Sequence, residues 1–278
     1  MRLDPHLSQR LAKVVLWSFT GFTLLALIFI IADILIMGLP QVTPGFLWHN
    51  PHDMGRSGGI FATVVATGEI TLLAIILASP LGVGTAIYLT EYVREGWVTR
   101  IIRFGAECLA GVPSIILGLF GFVLFVLKLG LGWSVLSGGL TLAIMVLPII
   151  IRTSEEAIKA VPQDYRTACY TLGMTQWQIV TRIVLPAALP GITTGIMLSV
   201  GRSIGETAVL LFTAGAALRT PVSLFDSGRT MAVHFYILAR EGLSMPNAYG
   251  TAAVLVVSIL AINLAAYTLM QRLVKRYS

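Results

Sequence analysis

Five stretches of this chain contain no Asp, Glu, Lys or Arg: Val14–Ala32, Ile70–Thr90, Leu109–Leu127, Leu129–Ile151 and Gly242–Gln271. Each is close to or longer than the roughly 20 residues that cross a bilayer core as a helix. A bilayer interior offers no water to a bare backbone N–H or C=O, so a run of this length must satisfy its own hydrogen bonds, as a helix does. A sixth run, Gly191–Ala214, is apolar apart from Arg202 and Glu206. Only 12% of the 278 residues are charged, about half the share of a soluble globular domain, which excludes water as the main solvent. The expected fold is all-α and integral to the membrane, one domain over 1–278. Its spans are about 14–37, 60–92, 108–128, 134–152, 191–214 and 249–272, with a long connector at 153–190.

The first run is too long for a signal-peptide core and no small-residue cleavage site follows it. The net charge of +6 could suggest a nucleic-acid partner, but the placement of the basic residues gives a better reason. With the N-terminus inside, thirteen of the nineteen Lys and Arg fall on inner segments: Arg2, Arg10, Lys13; Arg94, Arg100, Arg103; Arg152, Lys159, Arg166, Arg182; Arg272, Lys275, Arg276. This is the positive-inside pattern and predicts both termini in the cytoplasm. Trp97, within the basic stretch, suits an interfacial segment. Cys108 and Cys169 fall at the inner face, where thiols stay reduced. His49 and His52 beside Asp53 have the residue types of a metal pair, but Pro51 interrupts them and no further ligand is near; no metal site is expected. Asp33 is expected to reach the interface, and Glu69, deeper in its span, to be a buried, hydrogen-bonded carboxyl. Pro113 and Pro148 are candidate kinks. The outer segment 215–248 is too polar to span; its Met231–Ala239 reads as a loop resting on the bundle, or as a short apolar helix.

The connector 153–190 is long enough to need a structure and a task of its own. Pro162 suits the first turn of a helix over Gln163–Leu172, and Gly173 suits its C-terminal cap. Thr175-Gln176-Trp177-Gln178 has the Thr-x-x-Gln form of a capping box opening a second helix. Thr167, Ala168 and Cys169 offer a low-relief surface. Gly173, nine residues, then Ile183-Val184-Leu185-Pro186 resembles the EAA loop of ABC importer permeases, the type I group with a MetI-like fold. Tyr165, Arg166 and Leu172 lie in the same match. Thr167-Ala168-Cys169 stands where the family has Glu-Ala-Ala, so its Glu is absent. The resemblance implies that this loop is the coupling helix seated in a cleft of a separate ATPase, whose closure switches the bundle between inward and outward access. The chain has no G-x-x-x-x-G-K-[ST] loop to cradle nucleotide phosphates, so ATP and Mg would be bound by the partner and no cofactor by this chain.

Gly201-Arg202-Ser203-Ile204-Gly205-Glu206-Thr207 places ionisable groups inside the fifth span. A charge there costs about 2.5–3.5 kcal/mol on insertion scales and therefore pairs or faces a polar pathway. Counted from Gly191, Arg202 falls near the midplane. Arg202 and Glu206 are spaced to pair along one helix face, and Gly201 and Gly205 to admit a neighbouring helix. The pathway reading assigns Arg202, Glu206, Ser203 and Thr207 to the passage of an anion, since a planar guanidinium matches oxyanion geometry. Gly205-Glu206-Thr207-Ala208, Ala86-Ile87-Tyr88-Leu89-Thr90-Glu91-Tyr92, Val112-Pro113-Ser114-Ile115 and Ser79-Pro80-Leu81-Gly82 look like the PstA family of phosphate importer permeases, with Val209 where that family has Pro. That resemblance implies a bacterial inner-membrane subunit, not itself an enzyme. Its implied partners are a PstC-like permease in a heterodimer, a PstB-like ATPase dimer and a PstS-like phosphate-binding protein. A permease for another oxyanion, molybdate or sulfate, is the nearest rival. An integral-membrane enzyme is the rival of a different class, and no cluster of catalytic side chains at one face supports it.

Overall fold

The structure, a computed structural model, describes residues 5–277, with the side chains of 5–8, 269, 270 and 272–277 excepted. Arg2 lies outside the described residues, as do the side chains of Arg272, Lys275 and Arg276. Helices α1 (Pro5–Gly38) and α2 (Pro44–Trp48) are followed by a two-stranded antiparallel hairpin, β1 (Pro51–His52) and β2 (Ser57–Gly58). Then come α3 (Phe61–Tyr92), α4 (Trp97–Gly111), α5 (Ser114–Lys128), α6 (Val135–Lys159), α7 (Gln163–Thr171), α8 (Gln176–Ile204), α9 (Ala208–Thr213), α10 (Met231–Arg240) and α11 (Met245–Tyr277). Among the described residues five helices are long and apolar enough to cross a membrane, or six if the bent pair α4–α5 counts as one span.

The centre of the bundle is α3 against α6, with α8 laid on both. Ile70, Ala74 and Ala78 of α3 meet Leu142, Val146 and Ile150 of α6, and Val209 and Leu210 of α9 close the same core. A second core under the connector joins Ala86, Ile158, Val161, Cys169, Ile179 and Val184. In lipid there is little hydrophobic gain from helix association, so close backbone approach carries the packing. A Cβ on Gly191 would come within 2.5 Å of Ala157 Cβ, and one on Gly195 would collide with Thr153 Oγ1. These two glycines, four apart on α8, let it lie directly on α6. By contrast α1 touches the rest mainly through α11, and its apolar residues from Leu16 to Ile30 are largely exposed.

The helix bounds differ from the sequence expectation in physically traceable ways. The apolar run expected to span 108–128 is not one helix: α4 and α5 meet at 103°. Val112, held extended (φ −72°, ψ 129°) by the following Pro113, breaks the ladder. The expected boundary at 152 falls inside α6, which continues to Lys159. The expected start at 191 falls inside α8: Pro186 and Pro190 do not end the helix, because a wide π turn at Val180–Val184 absorbs the register change. At the other end α8 stops at Ile204, ten residues before the expected 214, and Gly205 to Thr207 are non-helical. Helix α11 begins at Met245, not 249. In the segment 215–248 the short apolar helix forms, at Met231–Arg240, and not the loop that was the favoured of the two readings. Thr230 caps α10 by accepting from Val233 N–H, and Met231 N–H donates to Thr67 Oγ1 at 2.9 Å. With Met231, Ala232, Val233, His234 and Leu238 buried, α10 is part of the packed structure.

Candidate functional site

Helix α7 ends in a complete C-terminal motif. Gly173 takes φ +79°; its N–H donates to Tyr170 O at 3.0 Å and Met174 N–H donates to Cys169 O at 3.1 Å. These are the paired bonds of a Schellman cap, which needs a residue at ease in the left-handed region. A Cβ on Gly173 would meet nothing within 4 Å, so backbone conformation, not space, selects glycine. Helix α8 opens with the reciprocal box: Gln178 N–H donates to Thr175 Oγ1 at 3.4 Å and Thr175 N–H to Gln178 Oε1 at 2.9 Å.

What fixes this helical turn to the bundle is Arg166. Its guanidinium donates from Nη2 to Glu91 Oε1 at 2.7 Å, from Nε to both Glu91 oxygens, from Nη1 to Val161 O at 2.6 Å and from Nη2 to Ile158 O at 3.0 Å. The Arg166 side chain is 10% exposed and that of Glu91 4%. Glu91 lies at the end of α3, Ile158 at the end of α6 and Val161 two residues beyond it, so one side chain ties α7 to two bundle helices. Gln176 Nε2 adds a bond to the backbone carbonyl of Glu91 at 2.8 Å, and Tyr170 Oη donates to Gln176 Oε1. The sequence set Cys169 on the low-relief surface and Arg166 in the coupling motif beside it. Both are buried and turned toward the bundle, which corrects that expectation: Arg166 has too many inward acceptors to face out. Ile183, Leu185 and Pro186 are half-buried on α8, and the first two pack on the second core, so this part of the motif anchors the loop. The outward face consists of Tyr165, Thr167, Ala168, Tyr170, Leu172 and Trp177, with Leu172 80% and Trp177 68% exposed. Glu91 and Gln176 escaped the sequence reading; an acid closing a long charge-free run was the available signal for Glu91.

A second ionic cluster stands beside this loop. Glu155, buried near the end of α6, accepts from Lys159 Nζ at 2.6 Å and Arg103 Nη2 at 2.7 Å; Arg103 also meets Glu95 at 2.8 Å. It joins α4 to the same end of α6 that holds Arg166.

Arg202 lies at the opposite end of α8. Helix α8 begins at Gln176, and Arg202 stands two residues from its end, about 39 Å along at 1.5 Å per residue. The expected pairing with Glu206 does not occur. The helix stops at Ile204, Glu206 N–H turns back to Ser203 O at 3.3 Å, and the two side chains form no salt bridge. Arg202 is exposed, is the one charged residue of α8 from Ile183 to Ile204, and has no hydrogen bond or ion pair among the described residues. Ser203 is buried with its Oγ unpartnered, while Glu206 and Thr207 are half-buried in the break. The expected packing role of Gly201 and Gly205 is not what the geometry gives. A Cβ on Gly201 would meet Asn263 at an ordinary 3.7 Å and one on Gly205 only Gly201 O at 3.9 Å; the close approach belongs to Gly191 and Gly195. Glu69, expected to be buried and hydrogen-bonded, is half-buried and makes no hydrogen bond. His49 bonds Gly45 O through Nδ1 at 2.8 Å, and Asp53 accepts from Ser57 Oγ at 2.7 Å.

The sequence profile of the binding-protein-dependent transport system inner membrane component matches residues 78–278. The chain belongs to this family of ABC importer permeases. A probable ABC transporter permease of Bacillus subtilis, YqgI, is 34% identical over 281 residues, 95% of each chain. The phosphate transport system permease protein PstA of Mycobacterium leprae is 33% identical over 260 residues, 90% of this chain and 84% of that one. Among solved structures, a bacterial alginate ABC transporter crystallised with its alginate-bound periplasmic protein superposes with a TM-score of 0.72 at 14% identity, covering 98% of both chains. The MetNI methionine transporter gives 0.64 at 18% identity over 76% of this chain and 94% of its own. At such identities the agreement is one of fold, and it is the MetI-like fold of type I importers. The permease is thus a multi-pass inner-membrane subunit.

Proposed function

We propose that this permease forms half of the translocation pathway of an inorganic phosphate importer and takes its power from a separate ATPase through the 162–186 segment. The observation that carries the cargo assignment is Arg202: an exposed, unpartnered guanidinium beside a break in a spanning helix that carries no other charge from Ile183 to Ile204. A charge in that position cannot rest against lipid without a cost of about 2.5–3.5 kcal/mol, and a planar fork of N–H donors suits a tetrahedral oxyanion. The broken ladder at Gly205 to Thr207 leaves backbone polar groups free to line a hydrated passage, the setting in which irregular backbone is tolerated at membrane depth. The relatives named for phosphate transport support the choice of anion.

On this reading both termini lie in the cytoplasm. The exposed face of Tyr165, Thr167, Ala168, Leu172 and Trp177 docks on a PstB-like ATPase dimer, which holds ATP and Mg. Arg166 positions the docked helix and carries its displacement into α3 and α6. A PstC-like permease covers the open faces of α8 and α3, and a PstS-like protein delivers phosphate at the far end. Thr167 offers a hydroxyl where the family has a carboxylate, so the contact to the ATPase at that position is uncharged.

The test is ATP-driven uptake by the complete transporter in liposomes. Arg202→Ala abolishes phosphate uptake in an assembled complex, and Arg202→Lys, which keeps the charge but not the fork, restores only part of it. Excess molybdate or sulfate leaves uptake unchanged. Normal uptake by an assembled Arg202→Ala variant removes the pathway role, and competition by sulfate or molybdate moves the cargo to another oxyanion.

A further inference from the structure

Helix α4 is an element that the transport mechanism does not use. Its 15 residues are too few to cross a bilayer, as are the 15 of α5; α5 runs along the spanning helix α6, Gly121 against Thr141, and α4 leaves it at 103°. A spanning helix tilts about 20° from the bilayer normal on average, so α4 is laid close to the membrane plane, at the end of the bundle that carries the coupling loop. Its inner side faces the protein: Thr99 is buried and Arg103 reaches across to Glu155 at 2.7 Å. Its other side is an unpartnered apolar stripe. Trp97, Ile101, Phe104 and Cys108 recur at the 4-3-4 spacing of one helix face and are all exposed, Trp97 by 75% and Phe104 by 67%. Beside the stripe stand Arg94 and Arg100, exposed and in no salt bridge among the described residues, with Arg100 in the field of the exposed Glu95 carboxylate.

We propose that α4 docks on an anionic lipid surface, its Trp97, Ile101, Phe104 and Cys108 face sunk in the boundary between headgroups and acyl chains and Arg94 and Arg100 at the lipid phosphates. Three independent features select lipid over a protein partner. The bend sets the helix parallel to the leaflet. The stripe is opened by a Trp, whose amphipathic ring favours the headgroup level. The basic residues nearest to it are free to meet a negatively charged leaflet. The polar side then gives the docking a consequence. Arg103 holds Glu155, three residues from Ile158 and six from Val161, whose carbonyls hold Arg166. Leaflet charge is thereby connected through α4 and the end of α6 to the coupling loop. This inference rests on the chain spanning a membrane and not on its cargo.

The complete transporter, carrying Cys169→Ala, is reconstituted in vesicles and spin-labelled at Cys108; two further variants also carry Cys108→Ala, with Phe104→Cys or Glu107→Cys as the label site. Labels at 104 and 108 collide more with oxygen, which partitions into lipid, than with a water-soluble nickel chelate; the label at 107 shows the opposite order. Protection from both quenchers at 104 and 108 would mean a protein covers the stripe, and preference for nickel would mean water does; either overturns the proposal. ATP hydrolysis by the complex is then compared in vesicles of phosphatidylcholine with and without phosphatidylglycerol. The parent is faster with phosphatidylglycerol, and the Arg94→Gln, Arg100→Gln double variant loses that gain while matching the parent in phosphatidylcholine alone. A gain that survives in the double variant, or no gain in the parent, contradicts the link from leaflet charge to the loop. The readout is hydrolysis, so a mistaken cargo would not affect it.

Discussion

Arg166 is the side chain on which the coupling loop depends. Its charge is buried, paired with Glu91 and surrounded by carbonyl acceptors, so removing one partner leaves the other charge uncompensated, at a cost of about 3–5 kcal/mol. Arg166→Ala and Glu91→Gln are therefore expected to loosen 163–175, seen as faster amide exchange there than in α6. ATP hydrolysis should then persist with little uptake. Arg166→Lys should not rescue, because a single ammonium cannot reach Glu91 and two carbonyls at once. Unchanged exchange in the loop would show that its anchor lies elsewhere. Gly173 separates conformation from contact: Asn, tolerant of positive φ, should keep uptake per ATP, and Val should lose it. A third residue-scale expectation concerns His234 in α10. Burial and the nearby Arg229, whose Nη1 stands 3.4 Å from Nδ1, hold the imidazole down at about 4. In an unfolded chain it titrates near 6.5, so the unfolded state binds the extra proton in the window between. Stability is complete above about pH 6.5 and falls as pH drops toward 4, by up to about 3 kcal/mol. Amide protection in Met231–Arg240, corrected for the intrinsic exchange rate at each pH, should fall between pH 7 and pH 5, and His234→Gln should flatten that dependence.

At the scale of elements, the long apolar runs were legible because a bilayer imposes one length and one hydrogen-bonding rule. The ends of the elements were less so. Leu109–Leu127 reads as one uninterrupted run because the last turn of α4, Leu109–Gly111, is as free of charge as α5; only Val112 before Pro113 marks the turn. The pairing of Arg202 with Glu206 follows from an intact helix, and Gly205 ends the helix between them. The motif Gly-to-Leu-Pro was plain in the sequence, yet which of its residues face the bundle was not, since Arg166 turns inward only through acceptors supplied by α3 and α6. Likewise two Gly-x-x-x-Gly pairs occur on α8, and spacing alone cannot say which one meets a neighbour. Gly191 and Gly195 do. Gly195→Leu is expected to separate α8 from α6 and lower stability by about 1–3 kcal/mol, whereas Gly201→Leu, facing Asn263 at an ordinary distance, should cost less. Thermal unfolding of the purified subunit in detergent ranks the two, and an equal or reversed order would contradict the packing described.

At the scale of the whole molecule, the surfaces point in different directions. One end carries the exposed coupling face; the bundle carries Arg202 and Glu69, charges that lipid does not suit, and the apolar length of α1, which lipid does suit. A membrane subunit built this way is one component of a binding-protein-dependent transport system, as its family membership indicates. The measurement that bears most directly on this account is co-purification. The chain is isolated from membranes that contain its transporter, either unaltered or with Tyr165→Asp and Leu172→Asp on the exposed coupling face. The account predicts that an ATPase accompanies the unaltered chain and is lost from the double variant, while the second permease subunit stays bound to both. Retention of the ATPase by the double variant would contradict it.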